Sequence, residues 1–373
     1  MSAVIASVPA SVLIVVTRRI GDVLLATPVI RSLKEAWPDT ALDVLVFEGT
    51  EGVVTANPDV RRVLTVPERP RLREHASLYS KLFRRYDLAL SLVPGDRPTL
   101  YAFAAGRRRV GLLLPSGKDT WKQCLLNHWV PFDDLDTHTV RMNLALVAAL
   151  GVPPLGEVAV TWSASDESQV ATLLGEGPSS RLAVLHPYPK FNYKMWHHAG
   201  WGEVARWLDG RGYRIVLTGS PDPAERSYTA EIAADLPAGT LNLVGRLTLG
   251  GAGCLLSRAA LFLGPDTALT HMAAALGIPT VALYGPTNPV KWGPWPANQN
   301  ADRNPWRRCG TQRQGNVTLV QGPGACVPCH LEGCDRHVES FSDCLMELPA
   351  ARVIAALRDI LGTGESSVVS GES

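Results

Sequence analysis

The residues best suited to chemistry stand in short polar stretches that follow apolar runs. Asp22 comes directly after Gly21, shortly beyond the apolar run at 12–17. A carboxylate at the end of a strand is placed to take a proton from an acceptor hydroxyl as a general base. Aspartate is also common at helix starts, so capping of the following helix is the alternative role for Asp22.

A second group of candidates is suited to an anion. Asp266 and Thr267 follow another apolar run and have the pattern of a helix start. Backbone N–H groups at a helix start attract phosphate, so we expect a phosphate at Thr267, Ala268 and Leu269. His271 follows in the same predicted helix. The alternative is that Asp266 is only an N-cap and His271 an ordinary helix residue.

Two further stretches add a cation and a carboxylate. Lys194 lies in the segment after His186, which ends an apolar run, and a lysine there is placed to neutralise a phosphate. The alternative for Lys194 is an ordinary lysine facing solvent. Glu225 follows the turn at 218–222, where its carboxylate would accept ribose hydroxyls. Neither predicted unit has the Gly-x-Gly-x-x-Gly fingerprint after its first strand, which disfavours a Rossmann dehydrogenase.

Alternating strand and helix patterns must position these residues. They predict two α/β units with parallel sheets and right-handed crossovers. Strands are expected at 12–17, 42–47, 63–66, 88–92, 109–112, 182–185, 214–218, 261–264 and 280–284. Helices are expected at 23–37, 138–150, 201–210, 223–234, 248–258 and 349–361, with a long ordered loop at 285–346. A cleft between two such units is a common place for a small ligand.

The composition fits this organisation. The chain has 373 residues, 46% of them hydrophobic, which is enough for two domains with separate cores. Its net charge of +1 gives no bulk attraction for a polyanion, so no nucleic acid partner is expected. Residues 61–122 nevertheless hold fourteen basic against five acidic residues. This region either faces an anionic partner or is an ordinary solvated surface.

The N-terminal sequence and the cysteines indicate the cellular location of the protein and a possible metal site. The first sixteen residues lack a basic n-region, and no apolar run reaches about eighteen residues, so neither a signal peptide nor a transmembrane helix is expected. Seven cysteines in a chain of this length fit a reducing cytoplasm. The spacing of four of them is compatible with a structural zinc site, with packed free thiols as the alternative. The four are Cys326, Cys329, Cys334 and Cys344.

Several of these stretches together resemble glycosyltransferase family 9, the ADP-heptose:lipopolysaccharide heptosyltransferases. They occur in the family's order over most of the chain. The matching stretches are TRRIGDVLLATP at 17–28, His-Pro at 186–187, KMW at 194–196, TGSP at 218–221, NLVG at 242–245, GPDT at 264–267 with His271, and YGPT at 284–287.

The resemblance implies the GT-B fold, in which two Rossmann-like domains have parallel sheets facing a central cleft. It implies an acceptor-binding domain at 1–160 and a nucleotide-sugar domain with the cysteine-containing loop at 161–348. A C-terminal helix and flexible tail would follow at 349–373.

For the site, the resemblance implies that Asp22 is the catalytic base and that Lys194 and the backbone at 267–269 hold the donor diphosphate. Asp266 and His271 would contact the sugar or phosphate. The family commonly has glycine where this chain has Ala268, whose added Cβ leaves less room for a phosphate near the backbone.

The implied function is inverting transfer of a heptosyl group from ADP-heptose to a hydroxyl of the lipopolysaccharide inner core, with no required cofactor. The lipid-linked acceptor is anionic, so region 61–122 would be an acceptor or membrane-surface face at the inner side of the inner membrane. Two alternatives stay open. One is a GT-B enzyme that transfers, epimerises or hydrolyses another nucleotide sugar, and the other is a non-catalytic glycan-binding scaffold.

Overall fold

The computed structural model describes residues 7–114, 117–175 and 181–365, which fall into two compact units. The first unit takes the chain up to Thr161 together with Asn298–Asn304. The second takes Trp162–Ala297 and the chain from Pro305 onward. The end of the expected flexible tail, 366–373, lies outside the described residues.

The first unit is built on a six-stranded parallel sheet. Its strands are β1 (Ser11–Val15), β2 (Ala41–Phe47), β3 (Arg62–Val66), β4 (Tyr86–Ser91), β5 (Gly106–Leu113) and β6 (His128–Pro131). Its helices are α1 (Ile20–Leu24), α2 (Thr27–Ala36), α3 (Leu72–Leu82), α4 (Asp96–Ala105), α5 (Thr120–Gln123) and α6 (Thr139–Ala149). The strand order is β3-β2-β1-β4-β5-β6, the doubly wound order of Rossmann folds.

The second unit is built on a seven-stranded sheet. Its strands are β7 (Arg181–Leu185), β8 (Tyr213–Leu217), β9 (Leu241–Asn242), β10 (Leu261–Pro265), β11 (Thr280–Tyr284), β12 (Gln312–Gln314) and β13 (Val317–Gln321). Its helices are α7 (Ala164–Leu174), α8 (His198–Asp209), α9 (Pro223–Ala234), α10 (Leu249–Ser257), α11 (Ala268–Ala275), α12 (Pro289–Trp292), α13 (Asp343–Met346) and α14 (Ala350–Glu365). The order is β12-β13-β11-β10-β7-β8-β9, with only β12 antiparallel to its neighbour.

The central strands form because their sequences are nearly continuous apolar runs rich in Val, Leu and Ile. Such runs are typical of parallel strands that helices cover on both faces. Four consecutive residues of β1 and every residue of β10 and β11 are buried. All nine predicted strands are present, with ends shifted by no more than three residues, and the strand at 280–284 has the predicted bounds.

Two predictions about helices were wrong in their bounds. The expected helix at 23–37 is two helices, α1 and α2, because Pro28 has no N–H and its ring would clash with the carbonyl of Leu24 in one continuous helix. The Thr27 hydroxyl donates to that carbonyl at 2.7 Å instead. The expected helix at 349–361 runs further, as Ala350–Glu365.

The expected loop at 285–346 contains regular structure that the sequence pattern did not reveal. Val317–Gln321 is a fully buried strand that pairs in parallel with β11. Asn316 fixes its start, because its side-chain amide donates to the carbonyl oxygens of Ala274 and Ile278. The mixed sequence VTLVQ becomes a strand through this pairing. Strand β6 was likewise not predicted.

Within the described part of the chain, no helix combines the length and the hydropathy needed to cross a membrane.

Candidate functional site

A cluster of polar side chains lies at the carboxyl ends of neighbouring strands in the second unit. Asp266 directly follows β10, which pairs with β7 on one side and β11 on the other. Lys194 Nζ donates to Asp266 Oδ2 at 2.5 Å, and His271 Nε2 lies 3.7 Å from Oδ1. Tyr284, the last residue of β11, places its hydroxyl 3.4 Å from the same Oδ1. Three predicted site residues are therefore brought together here.

The charges of this cluster are coupled. Burial alone would raise the pKa of Asp266, but the ammonium of Lys194 and the imidazole of His271 outweigh burial and hold that pKa well below its usual range. Asp266 is therefore a carboxylate at neutral pH, and its side chain is only 8% exposed. The Lys194 ammonium has three N–H groups, so one bond to Asp266 leaves donors for a second anion.

Helix α11 begins beside this cluster. Thr267 holds the N-cap position with extended backbone, and its side chain makes no capping bond. Thr270 turns back and its hydroxyl donates to the Pro265 carbonyl oxygen. The first N–H groups of a helix have no intrahelical acceptor, and the helix dipole favours an anion near them. The alternative that Asp266 is the N-cap is wrong, because Thr267 holds that position and the Asp266 carboxylate bonds to Lys194.

Glu225 lies in the first turn of α9 and is buried. Its Oε2 accepts a bond from the Ser220 hydroxyl, whereas Oε1 has no hydrogen-bond partner within the described residues. A Cβ on Gly219 would lie 2.7 Å from Oε1, so glycine leaves this oxygen its space. Burial raises the pKa of the Glu225 carboxyl. A buried, unpaired carboxyl oxygen is costly and suits a ligand hydroxyl as donor.

Two residues of this edge were not predicted as site residues. His186 follows β7, and its Nδ1 lies 3.3 Å from the Thr218 carbonyl oxygen. Burial lowers the pKa of His186 to about 4, so the ring is neutral at pH 7. Tyr284 donates to the Trp292 carbonyl oxygen at 2.8 Å and contacts Asp266. Both residues stand at the ends of predicted strands, which is the signal that pointed to Asp266.

Asp22 lies in the first unit, in the first turn of the short helix that follows β1. Arg19 holds the N-cap position, so the alternative that Asp22 caps the helix is wrong. Its side chain is 15% exposed, and Arg18 Nε lies 3.6 Å from Oδ1. Asp22 is thus a mostly buried carboxylate at the carboxyl end of the central strand.

The basic region 61–122 does not form one face. Many of its arginines stand at or just before the first residues of β3, β4 and β5, which is the edge of the sheet opposite to Asp22. These are Arg61, Arg62, Arg84, Arg85, Arg107, Arg108 and Arg109. Asp43 accepts two bonds from Arg61 at 2.8 Å and one from Arg62 at 3.1 Å. Arg61 and Arg62 therefore serve the fold, and this part of the region lies at the opposite ends of the strands from the proposed base.

Lys122 also departs from the expectation of an exposed cation. It is buried, with Nζ 2.5 Å from Asp119 and 2.8 Å from Asp96, and it donates to the Pro94 carbonyl oxygen at 3.1 Å. Three other cations of the region, Arg69, Arg71 and Arg73, are exposed around the start of α3, beyond the carboxyl end of β3. That edge of the sheet is the one that carries Asp22.

The four C-terminal cysteines are free thiols. Burial, followed by the nearby thiols of Cys329, Cys334 and Cys326, raises the pKa of Cys344 to about 12. The thiols are thus close enough to interact. Across residues 7–114, 117–175 and 181–365, however, no three His, Cys, Asp or Glu side chains are arranged to hold a metal ion. The geometry does not support the zinc site that the cysteine spacing allows, and it favours the alternative of free thiols.

Comparisons with known proteins agree with this architecture. The sequence profile of glycosyltransferase family 9 (heptosyltransferase) matches residues 78–318. The chain is similar to lipopolysaccharide heptosyltransferase 3 of Escherichia coli, with 28% identity over 288 residues, 74% of this chain and 84% of that protein.

Two solved structures have similar folds. A family 9 glycosyl transferase from Veillonella parvula has a TM-score of 0.76 at 17% identity, covering 94% of this chain and 97% of that one. The E. coli ADP-heptose lipopolysaccharide heptosyltransferase II has a TM-score of 0.72 at 22% identity, covering 95% and 99%. The predicted GT-B fold is confirmed by these likenesses.

Proposed function

The chain belongs to glycosyltransferase family 9 and is a glycosyltransferase, and we propose that it moves a heptosyl group from ADP-heptose to a hydroxyl of the lipopolysaccharide inner core. The names of its relatives support this choice of donor and acceptor, since one is a lipopolysaccharide heptosyltransferase and another is named for ADP-heptose. The single observation that carries the proposal is the cluster of Lys194, Asp266 and His271 beside the start of α11.

This cluster would hold the donor. The Lys194 ammonium and the N–H groups at Thr267, Ala268 and Leu269 would bind the diphosphate. Asp266 holds Lys194 in place and, with His271, would contact the sugar or the phosphate. These groups neutralise the negative charge that develops on the diphosphate as it leaves. They would thereby stabilise the transition state of the transfer.

Glu225 would bind the ribose of the donor. Its buried Oε1 lacks a partner within the described residues, and a ribose hydroxyl would supply the missing donor.

The added Cβ of Ala268 stands at the proposed phosphate position, and the side chain is only half-buried. The phosphate must therefore approach the helix start beside this methyl group.

Asp22 would act on the acceptor. Its carboxylate would take the proton of the attacking hydroxyl as the new glycosidic bond forms and the bond to the diphosphate breaks. The anomeric carbon would pass through an oxocarbenium-like state, as in glycoside hydrolysis. One displacement on the face opposite the leaving group inverts the anomeric configuration. Because Lys194 and α11 carry the leaving-group charge, the proposed step requires no metal.

The reaction is tested with purified protein, a panel of nucleotide sugars and truncated, lipid-linked core acceptors, with the product identified by mass. We expect a mass increase of one heptosyl group with ADP-heptose and release of ADP. Turnover without an acceptor would instead indicate epimerisation or hydrolysis. Binding of the acceptor without turnover of any donor would indicate a glycan-binding scaffold.

We also propose that the acceptor's membrane is contacted at the start of α3, on the cytoplasmic side of the inner membrane. Leu72 is 88% exposed there, with the exposed Arg69, Arg71 and Arg73 around it. Arg97 Nη1 donates to the Glu68 carbonyl oxygen at 2.6 Å and steadies the preceding segment. An apolar side chain among arginines suits an anionic lipid surface.

A further inference from the structure

The second unit contains a pocket of about 430 Å³ that the proposed reaction does not use. Its walls come from the segment after β7, the start of α8, one face of α9, and the segment 341–346. On α9 the lining residues Ala224, Ser227, Tyr228 and Glu231 follow helical spacing and share one face. Glu225 belongs to a different face of the same helix.

Aromatic rings dominate this pocket. Tyr188 and Tyr228 meet edge to face with centroids 5.3 Å apart, and His198 meets Tyr228 at 4.4 Å. The Tyr228 hydroxyl donates to the Trp196 carbonyl oxygen at 3.0 Å, so this residue offers a ring and no free hydroxyl hydrogen. Buried Trp196 and Met195 also line the pocket.

Phe341 adds an exposed ring on a fixed backbone. Phe341 is 46% exposed to solvent. Its carbonyl oxygen accepts a bond from Cys334 N at 2.9 Å, and the Asn192 side chain donates to the Glu339 carbonyl oxygen at 2.9 Å. The first bond fixes the backbone at Phe341, and the second ties this segment to the one that carries Lys194. The ring is therefore held in place without being covered.

The polar groups of the lining define the ligand further. Among the residues that the structure describes, no lysine or arginine lines the pocket, so a phosphate or a nucleotide would find no ammonium or guanidinium partner there. Glu231, Ser227 and the side-chain oxygen of Asn192 can instead accept hydrogen bonds from hydroxyl groups. His198 Nδ1 lies 3.9 Å from Glu231 Oε2. Aromatic faces with hydroxyl-binding groups at their edge match a sugar ring, which has apolar C–H faces and peripheral hydroxyls.

We propose that this pocket binds a neutral sugar ring of a glycan, as a saccharide subsite separate from the donor cluster. The inference rests on the proposed function only in identifying the glycan with the acceptor. The segment after β7 connects the two places, because Asn192 and Met195 line the pocket while Lys194, between them in the chain, bonds to Asp266. A sugar ring here would thus lie next to the segment that holds the donor.

The test is saturation-transfer NMR of the full chain with methyl α-D-glucopyranoside and with a delipidated, dephosphorylated core oligosaccharide. We expect saturation of the sugar-ring protons in the wild type and at least a fivefold weaker signal in Phe341→Leu, which keeps an apolar side chain without a ring. Phe341→Tyr should keep the signal. Phe83→Leu, at an exposed phenylalanine of the first unit that is 66% exposed against 46% for Phe341, is the control and should also keep it.

Absence of a signal in the wild type would overturn the proposal, as would equal signals in Phe341→Leu and the wild type. So would a change of oligomeric state in Phe341→Leu without any saccharide binding, since the ring would then belong to an interface between copies. Transfer from ADP-heptose is measured separately. Failure of transfer with intact saccharide binding would reject the proposed reaction and leave the subsite standing.

Discussion

At the scale of single residues, two aspartates stand at strand ends but have different surroundings. Asp266 is buried and bonded to Lys194, so its carboxylate is committed to holding a cation. Asp22 has Arg18 at 3.6 Å and no closer ion pair in the described part of the chain. A carboxylate that is less firmly paired keeps lone pairs for a proton. This contrast favours Asp22 as the base and Asp266 as a positioning group.

Replacing the proposed base should stop the chemistry and spare the donor. We expect Asp22→Asn to lower kcat about 100-fold to 10,000-fold, the usual contribution of a general base, with ADP affinity unchanged. Asp39→Asn, at an exposed carboxylate of the same unit, is the control and should keep full activity. Steady-state transfer and calorimetric titration with ADP check this. An Asp22→Asn enzyme with near-normal kcat would show that another group is the base.

The pairing of Asp266 should appear in the acid stability. Its pKa is lowered in the folded state, so its contribution to stability is present above the unfolded pKa of about 4 and is lost as pH falls further. We expect Asp266→Asn to lower the free energy of unfolding by about 1–3 kcal/mol at pH 7. The difference from wild type should narrow below about pH 4.

Urea unfolding followed by circular dichroism at several pH values measures this difference. Asp209→Asn, at an exposed carboxylate of the same unit, is the control, and its free energy of unfolding should stay close to that of the wild type at every pH. A difference for Asp266→Asn that stayed constant from pH 7 to pH 3 would mean that the ion pair does not lower the pKa.

At the scale of secondary-structure elements, a close approach of strands depends on one glycine. A Cβ on Gly106, the first residue of β5, would lie 2.7 Å from Ala89 Cβ and 2.9 Å from Ala89 N on β4. Backbone cannot yield as a long side chain does. We expect Gly106→Ala to lower the free energy of unfolding by about 1–3 kcal/mol, as overpacked cores do.

Thermal and urea unfolding of both proteins check the effect. Gly239→Ala is the matched control, since a Cβ there would meet no atom within 4 Å and the residue does not have a positive φ. If Gly106→Ala had the same free energy of unfolding as the wild type, β4 and β5 would have enough space for a Cβ at this position, and the predicted clash would be wrong.

The cysteine segment makes a prediction about metals. The four thiols interact, but among the described residues they are not arranged as metal ligands. We therefore expect less than about 0.1 zinc ion per chain, whereas a fully occupied zinc site would give about 1. Elemental analysis of protein purified without chelator measures this. Stoichiometric zinc that is lost in Cys329→Ser would restore the zinc site expected from the spacing. Cys254→Ser, at a buried cysteine elsewhere, is the control.

At the scale of the whole molecule, both units repeat one doubly wound order, and β12 extends only the second. In each sheet the carboxyl edge carries the proposed chemistry: Asp22 in the first, and Lys194 with Asp266 in the second. The exposed arginines at the start of α3 share the carboxyl edge with Asp22, whereas Arg85 and Arg107 lie at the opposite edge. Membrane contact should therefore depend on one edge only.

Vesicle binding distinguishes the two edges. We expect the triple change Arg69→Ala, Leu72→Ser and Arg73→Ala to weaken binding to anionic vesicles at least tenfold, since each arginine near such a surface contributes about 1 kcal/mol. The matched control is Phe83→Ser, Arg85→Ala and Arg107→Ala, which removes the same charge and one exposed apolar side chain. Sedimentation with phosphatidylglycerol vesicles measures both. Equal losses in the two variants would reject a specific membrane face.

The sequence alone determined the architecture and most of the polar cluster around Asp266. Continuous apolar runs predict buried parallel strands whatever their neighbours, and polar residues just after such runs must lie at the carboxyl edge of the sheet. That logic placed Lys194, Asp266 and His271 correctly in one cluster. The residues' catalytic and binding roles stay predictions.

Only the tertiary structure decided features that depend on partners distant in sequence. Val317–Gln321 is a strand because β11 pairs with it. Lys122 is buried because Asp119 and Asp96 neutralise it, and Arg61 and Arg62 serve Asp43. Charge counting cannot distinguish these cations from Arg69 and Arg73, because the sequence gives their charge but not which carboxylates fold against them.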